Sequence, residues 1–115
     1  MNIRPIYPCP CCGFETFSEP PGSYEICVVC GWEDDLVQLM HPSMGGGANR
    51  KSLLEAQAGS LLAHPVEVQV QAGFKRAGKW RPLLVRDLKE QDSPSSGIQY
   101  FGAAAEEGAR YYWES

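Results

Sequence analysis

The chain has 115 residues, of which 43% are hydrophobic and 21% are charged, and its formal net charge is −4. This size suits one domain with a modest core. The apolar runs are only a few residues long, which excludes a membrane-spanning helix, and residues 1–6 lack the apolar centre of a secretory signal. We therefore expect a cytoplasmic protein.

Charge is unevenly distributed along the chain. Residues 1–48 hold six acidic residues and one basic residue, residues 49–91 have a net charge of +4, and residues 92–115 have a net charge of −3. An acidic segment followed by a basic one predicts either pairing within the molecule or two surfaces for different partners. We expect residues 1–48 to form a cysteine-rich metal-binding region, with residues 49–115 as an α+β remainder packed on it in one compact domain.

β-prone residues in the first half predict a hairpin. Residues 14–17 and 24–26 are the two β-prone runs, and the turn-forming residues 19–23 lie between them. Residues 36–40 are too few to distinguish a turn of helix from a strand. The three glycines at 45–47 predict a flexible connection rather than a phosphate-binding loop, because no Lys-Ser/Thr pair follows them.

One helix is well marked in the second half. Ser52 and Glu55 have the spacing of a capping box, and several apolar residues follow them. His64 precedes Pro65, and proline disfavours helical geometry in the residue before it. The sequence therefore predicts a helix that begins after Ser52 and ends at His64.

The remaining predicted elements are short. The alternation of residues 66–71 predicts a strand with one buried face, and residues 82–86 predict a second strand. Residues 92–97 predict a polar loop, residues 98–101 a short strand, and residues 103–113 a short terminal helix. Together these elements predict a small α+β domain with a capped helix and a few antiparallel strands.

All five cysteines lie in two short segments that share one pattern. Cys-x-x-Cys-Gly, followed by an aromatic residue, occurs at residues 9–13, the first knuckle, and at residues 27–31, the second knuckle. In a reducing compartment, clustered cysteines favour a metal site over disulfides. Fourteen residues separate the two cysteine pairs, which is close to the spacing of a four-cysteine zinc ribbon. The predicted ligands of one structural zinc ion are Cys9, Cys12, Cys27 and Cys30.

Cys11 is left outside this set, because Cys9 and Cys12 reproduce the spacing of the second knuckle. It is either a small, partly buried residue or a reactive thiol whose pKa is lowered beside the metal. Iron is the alternative metal, since rubredoxin binds iron with two facing Cys-x-x-Cys knuckles.

Other charged and titratable residues give weaker indications. Residues 33–35 are three consecutive acidic residues, which form either a solvated run or an acidic patch beside the metal. His41 and His64 each precede a proline, and four cysteines already satisfy zinc, so we expect neither histidine to be a ligand. The sequence contains no nucleophile–base–acid signature, and we predict no catalytic residues.

Residues 75–81 combine four cations with Trp80. Such a segment is either a nucleic-acid surface or a basic turn that pairs with the acidic half and places Trp80 in the core. The net negative charge of the chain favours the second interpretation.

Several stretches resemble the bacterial cysteine-rich CPCC family. Residues 7–14, 19–27 and 30–35 carry the resemblance, and residues 47–57 resemble the family's continuation into a helix, so that the match covers residues 5–60. The resemblance implies a small cytoplasmic metal-binding domain with zinc-ribbon or rubredoxin-like knuckles, and it implies the same four cysteines as ligands. It implies no activity.

Three functions follow as expectations. The first is a non-enzymatic, zinc-stabilised module that binds another protein through residues 32–35, as an immunity or regulatory protein of a bacterial gene pair. The second is a redox or thiol protein that uses an iron-tetrathiolate centre or Cys11. The third is a nucleic-acid-binding zinc ribbon that uses residues 75–81.

Overall fold

Short regular elements surround the cysteine-rich segment. The computed structural model describes residues 6–88 and 111–114. These residues form helices α1 (Leu36–Met40) and α2 (Leu53–Ala63), antiparallel strands β1 (Val70–Gln71) and β2 (Phe74–Lys75), and 3₁₀ turns at Val85–Asp87 and Tyr112–Glu114. Helices together with an antiparallel strand pair agree with the predicted α+β class. The zinc-ribbon description of the knuckles stays a prediction.

The core is built around the cysteines themselves. Its buried members are Cys9, Cys11, Cys12, Phe14, Phe17, Cys27, Trp32, Leu36, Leu39, Leu53 and Tyr111. Both knuckles, both helices and the 111–114 segment therefore meet at one place. A chemical change at the cysteine sulfurs therefore directly alters the packing of the core.

Each knuckle closes its own short antiparallel ladder. Around the first knuckle, the Tyr7 N–H donates to the Phe17 carbonyl at 2.8 Å and the Phe17 N–H donates back at 3.0 Å. Around the second knuckle, Ile26 forms an antiparallel bridge with Glu33. The Cys-x-x-Cys-Gly turns reverse the chain and so bring their own flanking residues together.

The predicted hairpin between residues 14–17 and 24–26 is therefore wrong. The two runs are paired, but not with each other. Phe14 instead forms a bridge with Arg76, which lies far along the chain. The knuckle turns set the pairing instead, because they place Tyr7 beside Phe17 and Ile26 beside Glu33.

The glycine that ends each knuckle adopts a positive φ, as the pattern predicts. The φ angles are 82° at Gly13 and 83° at Gly31, and each glycine N–H donates to the carbonyl of the first cysteine of its knuckle. Their surroundings differ. A Cβ at Gly13 would lie 2.4 Å from a ring carbon of Trp80, whereas a Cβ at Gly31 would meet nothing within 4 Å.

Helix α1 and the loop after it are held by two buried side chains. Asp35 caps the helix by accepting from the N–H groups of Val37 and Gln38, and it also accepts from the Ala48 N–H at 2.9 Å. The Gln38 amide, which is fully buried, donates to three backbone carbonyls of the loop, those of Met44, Asn49 and Lys51.

This loop contains the three glycines expected to form a flexible connection. The structure instead shows a fixed loop. A Cβ at Gly47 would lie 2.7 Å from an oxygen of the Asp35 carboxylate. Glycine is needed there for close approach, because the backbone must reach the carboxylate and the amide that hold it.

Helix α2 begins and ends as predicted. The Glu55 N–H donates to Ser52 Oγ at 3.2 Å, and the Ser52 N–H donates to the Glu55 carboxylate at 3.1 Å, which completes the capping box. His64 is the C-cap. The capping pair and the proline mark the two ends of this helix in the sequence, and the prediction is confirmed.

The strand predicted at residues 66–71 is wrong except for its last two residues. Val66 and Val70 are 48% and 57% exposed, so the alternation does not mark a buried face. Residues 65–68 form a turn, closed by the Val68 N–H donating to the Pro65 carbonyl. Carbonyls that a strand would use for pairing are taken instead by the Arg76 guanidinium.

The elements predicted after residue 81 are either wrong or lie largely outside the described residues. Residues 82–86 are not a strand, because the Leu84 N–H is held by the Asp87 carboxylate at 2.7 Å and the chain turns there. The loop predicted at 92–97 and the strand at 98–101 lie outside the described residues. Of the predicted terminal helix only its last residues are described, and these form a 3₁₀ turn.

The two knuckle glycines provide a matched test of the packing at Trp80. Gly31→Ala should lower the free energy of unfolding by about 1–2 kcal/mol, the cost of a left-handed residue with a Cβ. Gly13→Ala should cost roughly 1–3 kcal/mol more, because the new Cβ also displaces the Trp80 ring. Urea unfolding of the metal-loaded proteins, followed by circular dichroism, measures both. Equal losses would contradict the close approach of Gly13 to Trp80.

Candidate metal centre

The two knuckles face each other and bring four sulfur atoms together. The Sγ–Sγ distance is 3.6 Å between Cys9 and Cys30 and 3.7 Å between Cys12 and Cys27. All four sulfurs, hereafter the four-sulfur cluster, lie within 4.8 Å of one another. A tetrahedral ion with metal–sulfur bonds of about 2.3 Å has sulfurs about 3.8 Å apart. The cysteines predicted from the sequence are the ones brought together, and their spacing fits a four-thiolate metal ion.

Donors around Cys27 fit the same site. Thr16 Oγ1 lies 3.2 Å from Cys27 Sγ, and the Val29 N–H donates to the same sulfur at 3.4 Å. Hydrogen bonds to a metal-bound thiolate hold its orientation and spread its negative charge. The knuckle backbone therefore supplies at Cys27 the second layer of contacts that a metal-thiolate site uses.

The charges of the cluster need compensation. Burial, together with contacts to the neighbouring cysteines, raises the pKa of the Cys9 thiol well above its usual value. The hydrogen bond between Cys12 and Cys27 raises the pKa of Cys12 and lowers that of Cys27 to about 7. One thiolate can thus form at the expense of its neighbours, but several cannot coexist so close together in a buried place. A bound cation reverses this balance and favours deprotonation of all four.

Cys11 is buried beside the cluster but is not one of its four members. The neighbouring Cys30 thiol, together with burial, raises the pKa of the Cys11 thiol, and Cys11 is in turn the main cause of the lowered pKa of Cys30. The position agrees with the small, buried residue expected. The alternative, a reactive thiol whose pKa is lowered beside a bound metal, stays a prediction.

The acidic run at residues 33–35 is not a solvated run. Asp34 and Asp35 are only 1% and 6% exposed. Asp34 accepts hydrogen bonds from the backbone N–H and the hydroxyl of Ser23, and Asp35 is occupied with the N-cap of α1 and with Ala48. The carboxylates organise the backbone, which is also why they do not form an acidic patch that could hold a second ion.

The histidines lie where the helices end. His41 and His64 are the C-caps of α1 and α2, and neither belongs to the four-sulfur cluster. The His64 ring makes an edge contact with Phe14 at 6.0 Å between centroids. These positions agree with the expectation that the histidines are not ligands.

The sequence does not reveal the role of Arg76. Its guanidinium donates to four backbone carbonyls at 2.7–3.0 Å. The acceptors are Cys12, Pro65, Val68 and His64. One buried side chain thus joins the first knuckle to the turn after α2. Because every acceptor is a backbone carbonyl, no pattern of side chains signals this role.

Trp80 is also a structural residue. It is buried against Gly13, and its Nε1–H donates to the Pro10 carbonyl at 3.1 Å. The Arg76 guanidinium lies 4.8 Å from the centre of the Trp80 ring. Trp80 therefore lies in the core as expected, while in the basic turn Arg76 contacts carbonyls and Arg81 pairs with Asp87 rather than with the acidic half. Because Trp80 and Arg76 are buried, neither side chain is available to the nucleic-acid surface considered for residues 75–81.

The Pro10 carbonyl accepts a second hydrogen bond from helix α2. Gln57 is 3% exposed, and its amide donates to this carbonyl at 3.2 Å while its oxygen accepts from the Leu83 N–H at 2.7 Å. The Pro10 carbonyl lies between Cys9 and Cys11 in the chain, so these contacts fix the first knuckle. The sequence analysis missed this anchor as well.

A cavity of about 390 Å³ lies against the second knuckle. Its wall combines sulfur, aromatic and basic side chains with small residues of the ordered loop. The lining residues are Cys11, Cys30, Gly31, Trp32, Glu33, Ala48, Asn49, Arg50, Lys51 and Ala56. Cys30 is the only one of the four cluster cysteines that lines this cavity.

No helix in the described part of the chain is long and apolar enough to cross a bilayer.

The fold and the cluster together define a small metal-binding module with four thiolate donors. The family profile Cysteine-rich CPCC matches residues 7–60. The resemblance stated from the sequence is thereby confirmed for this segment, which includes both knuckles and most of α2. No curated protein matches the chain.

Acidification should weaken metal binding at the cluster. Binding requires the thiols to lose protons, and the raised pKa values of Cys9 and Cys12 mean that they hold theirs in the metal-free protein. The dissociation constant for Zn²⁺ should therefore rise as the pH falls, which competition with a chelating dye at several pH values would measure. A Cys30→Ser variant should bind far more weakly at every pH. A pH-independent constant would contradict thiol ligation.

Arg76 should be needed for the stability of the first knuckle. Arg76→Lys should lower the free energy of unfolding by about 2–4 kcal/mol, because a single ammonium cannot reach all four carbonyls and leaves some of them unpaired. Lys79→Ala, an exposed cation of the same segment, is the matched control and should change little. Chemical denaturation measures both. Equal stability of the Arg76→Lys variant and the native protein would show that water replaces the guanidinium.

Proposed function

We propose that this chain is a non-enzymatic, zinc-stabilised module that binds another protein. The observation that carries the proposal is a buried four-sulfur cluster next to exposed apolar side chains at the second knuckle. Bound by Cys9, Cys12, Cys27 and Cys30, zinc would cross-link the two knuckles. All four positions of a tetrahedral ion would then be filled by thiolates, which leaves none open for a substrate.

Zinc is preferred over iron on chemical grounds. The sulfur spacing suits either ion, but a structural role needs no change of oxidation state, and Zn²⁺ has none. Metal analysis of the purified protein should give one zinc per chain in a colourless solution. An iron absorption band would favour the redox alternative instead.

The binding surface expected at residues 32–35 must be revised. Trp32, Asp34 and Asp35 are buried, so they cannot form an exposed surface. The neighbouring segment is exposed instead. Tyr24, Ile26 and Val28 are 50%, 64% and 71% exposed, and they lie at every second position where the chain enters the second knuckle. We call these three side chains the knuckle stripe.

Tyr24 supports a binding role for the stripe. Its φ angle is +62°, a left-handed conformation that costs a residue with a Cβ roughly 1–2 kcal/mol. The conformation is imposed by the ladder beside it, in which the Tyr24 N–H donates to the Asp34 carbonyl at 3.0 Å. An exposed aromatic residue kept in a strained conformation is typical of a recognition site.

Charge next to the stripe suggests the chemistry of the partner. Glu33 forms the antiparallel bridge with Ile26, and residues directly opposite each other place their side chains on the same face. Glu19, in the turn before the stripe, is exposed. We therefore infer a protein partner that presents an apolar patch flanked by Lys or Arg.

The biological setting is part of the same proposal. We place the module in the bacterial cytoplasm, where a reducing environment keeps thiolates available for metal. An immunity or regulatory protein of a gene pair would need such a compact binding module. The carboxylates beside the cluster are engaged in capping and hydrogen bonds, which supports a role without catalysis.

The stripe can be tested by crosslinking and then by direct binding. A photo-crosslinking residue in place of Val28 should capture a protein from the native host, to be identified by mass spectrometry. With that protein purified, Tyr24→Gly and Val28→Ser should each weaken binding at least about tenfold, equivalent to 1.4 kcal/mol. Tyr24→Gly should do so with little loss of stability, because glycine relieves the positive φ.

The matched control is Leu62→Ser, which removes another exposed apolar side chain from helix α2. It should leave the affinity unchanged. Loss of binding in the control but not in the stripe variants would place the interface elsewhere. If nothing crosslinks at residue 28 under conditions that saturate the probe, the assignment of the stripe is wrong.

A further inference from the structure

Cys30 is the open sulfur of the four-sulfur cluster. The other three cysteines are 0–2% exposed, whereas Cys30 is only partly buried. Cys30 is also the only one of the four whose residue lines the 390 Å³ cavity. A small reagent that enters the cavity can therefore reach this sulfur without first disrupting the core.

Cys11 lies at the same wall. It lines the cavity together with Cys30 and is not among the four sulfurs placed to bind a metal. A thiol outside the metal site thus shares a cavity wall with the most accessible sulfur of the cluster. Neither the structural role of the cluster nor the knuckle stripe requires a fifth cysteine at this position.

We propose that Cys30 is an oxidation site for small hydroperoxides that enter the cavity, and that Cys11 is the thiol that closes the product into a Cys11–Cys30 disulfide. Such a redox site goes beyond partner binding at the knuckle stripe, and its zinc-release readout rests on the zinc binding proposed above. It assigns a role to the cysteine that the metal centre leaves over.

The chemistry uses one hydroperoxide and two sulfurs. The Cys30 sulfur attacks an oxygen of the peroxide, the O–O bond breaks, and the departing hydroxide or alkoxide takes a proton to leave as water or an alcohol. The resulting sulfenic acid is attacked by Cys11, the S–O bond breaks, and hydroxide leaves with the Cys11 proton as water. Two sulfurs each lose one electron, and the peroxide is reduced by two.

The cavity wall suits the first step. Arg50 and Lys51 line the cavity and are exposed cations of the loop that Gln38 holds in place. Their two positive charges outnumber the one negative charge on this wall, that of Glu33, and favour the oxygen that becomes negative as the O–O bond breaks. Trp32 and the small side chains Ala48 and Ala56 complete a wall that admits a small molecule but leaves the three deeper sulfurs covered.

The disulfide would remove Cys30 from the ligand set. Three thiolates hold Zn²⁺ less tightly than four, so oxidation should release the ion to a competing chelator. Val28 and Cys30 belong to the same knuckle, so the change would be transmitted to the knuckle stripe. Reduction of the disulfide by a thiol should restore the original centre.

The test is a thiol map of the zinc-loaded protein after treatment with hydrogen peroxide. Free cysteines are alkylated with a light reagent, disulfides are then reduced and alkylated with a heavy one, and fragment ions locate each label. Cys11 and Cys30 should carry the heavy label in parallel with zinc release to a chelating dye. A heavy label mainly at Cys9, Cys12 or Cys27, or no disulfide while Cys30 is overoxidised, would overturn the proposal.

A variant separates the resolving step from the attack. Cys11→Ser should still bind one zinc per chain, but peroxide should convert Cys30 to sulfinic acid, and thiol reductants should no longer restore the centre. If the variant shows reversible oxidation like the native protein, Cys11 is not the resolving thiol. The map of the native protein remains decisive should Cys11→Ser fail to fold.

A matched pair of variants tests whether the peroxide reaches Cys30 through the cavity. Ala48→Leu enlarges a side chain of the cavity wall, and Ala58→Leu enlarges an exposed side chain of helix α2 that does not line it. With cumene hydroperoxide, which is bulkier than hydrogen peroxide, Ala48→Leu should slow zinc release several-fold relative to Ala58→Leu. Equal rates would overturn the cavity as the route. Because none of these readouts involves a binding partner, they stand or fall separately from the knuckle stripe.

Discussion

Repulsion among buried thiolates is the constraint on which this structure depends. The four cluster sulfurs lie within 4.8 Å of one another in the same region as Phe14, Trp32 and Leu39. A cation that binds them can contribute on the order of 10 kcal/mol to folding, comparable to the whole stability of a small domain. The hydrophobic core and the metal centre are therefore one cooperative unit, and neither can be described without the other.

The second half of the chain acts largely as a clamp on the first knuckle. Two carbonyls of that knuckle, those of Pro10 and Cys12, receive donors from Gln57, Trp80 and Arg76. Buried carbonyls left without donors would each cost about 1–3 kcal/mol. The clamp thus fixes the positions of the sulfurs from the outside, while the second knuckle keeps one sulfur at the cavity and an exposed apolar face.

Short-range chemistry was predictable from the sequence. Cys-x-x-Cys-Gly turns and a capping box depend on neighbours within a few residues, so the cluster cysteines and helix α2 could be placed in advance. The pairing of backbone segments could not be predicted. Strand propensity predicted a hairpin at residues 14–17 and 24–26 and a strand at 66–71, but the knuckle turns and Arg76 determine where those backbones pair.

The roles of the buried polar side chains could not be predicted from the sequence either. Asp34 and Asp35 have the composition of a solvated run, and only the backbone donors around them turn them into internal supports. Gln57 and Arg76 act on carbonyls, which every residue has and no pattern marks. The position of the fifth cysteine was clear, whereas its contact with Cys30 and their shared cavity needed coordinates.

The Gln38 amide also bears on how this chain can be divided. By composition, the three glycines mark a junction between an acidic piece and a basic piece. In the folded molecule, Gln38 donates across that junction to Asn49 and Lys51. A cut after residue 48 would leave a buried amide in one fragment and two of its three acceptors, the carbonyls of Asn49 and Lys51, in the other. The two fragments should regain native structure only as a complex, so the chain should fold and unfold as one cooperative unit.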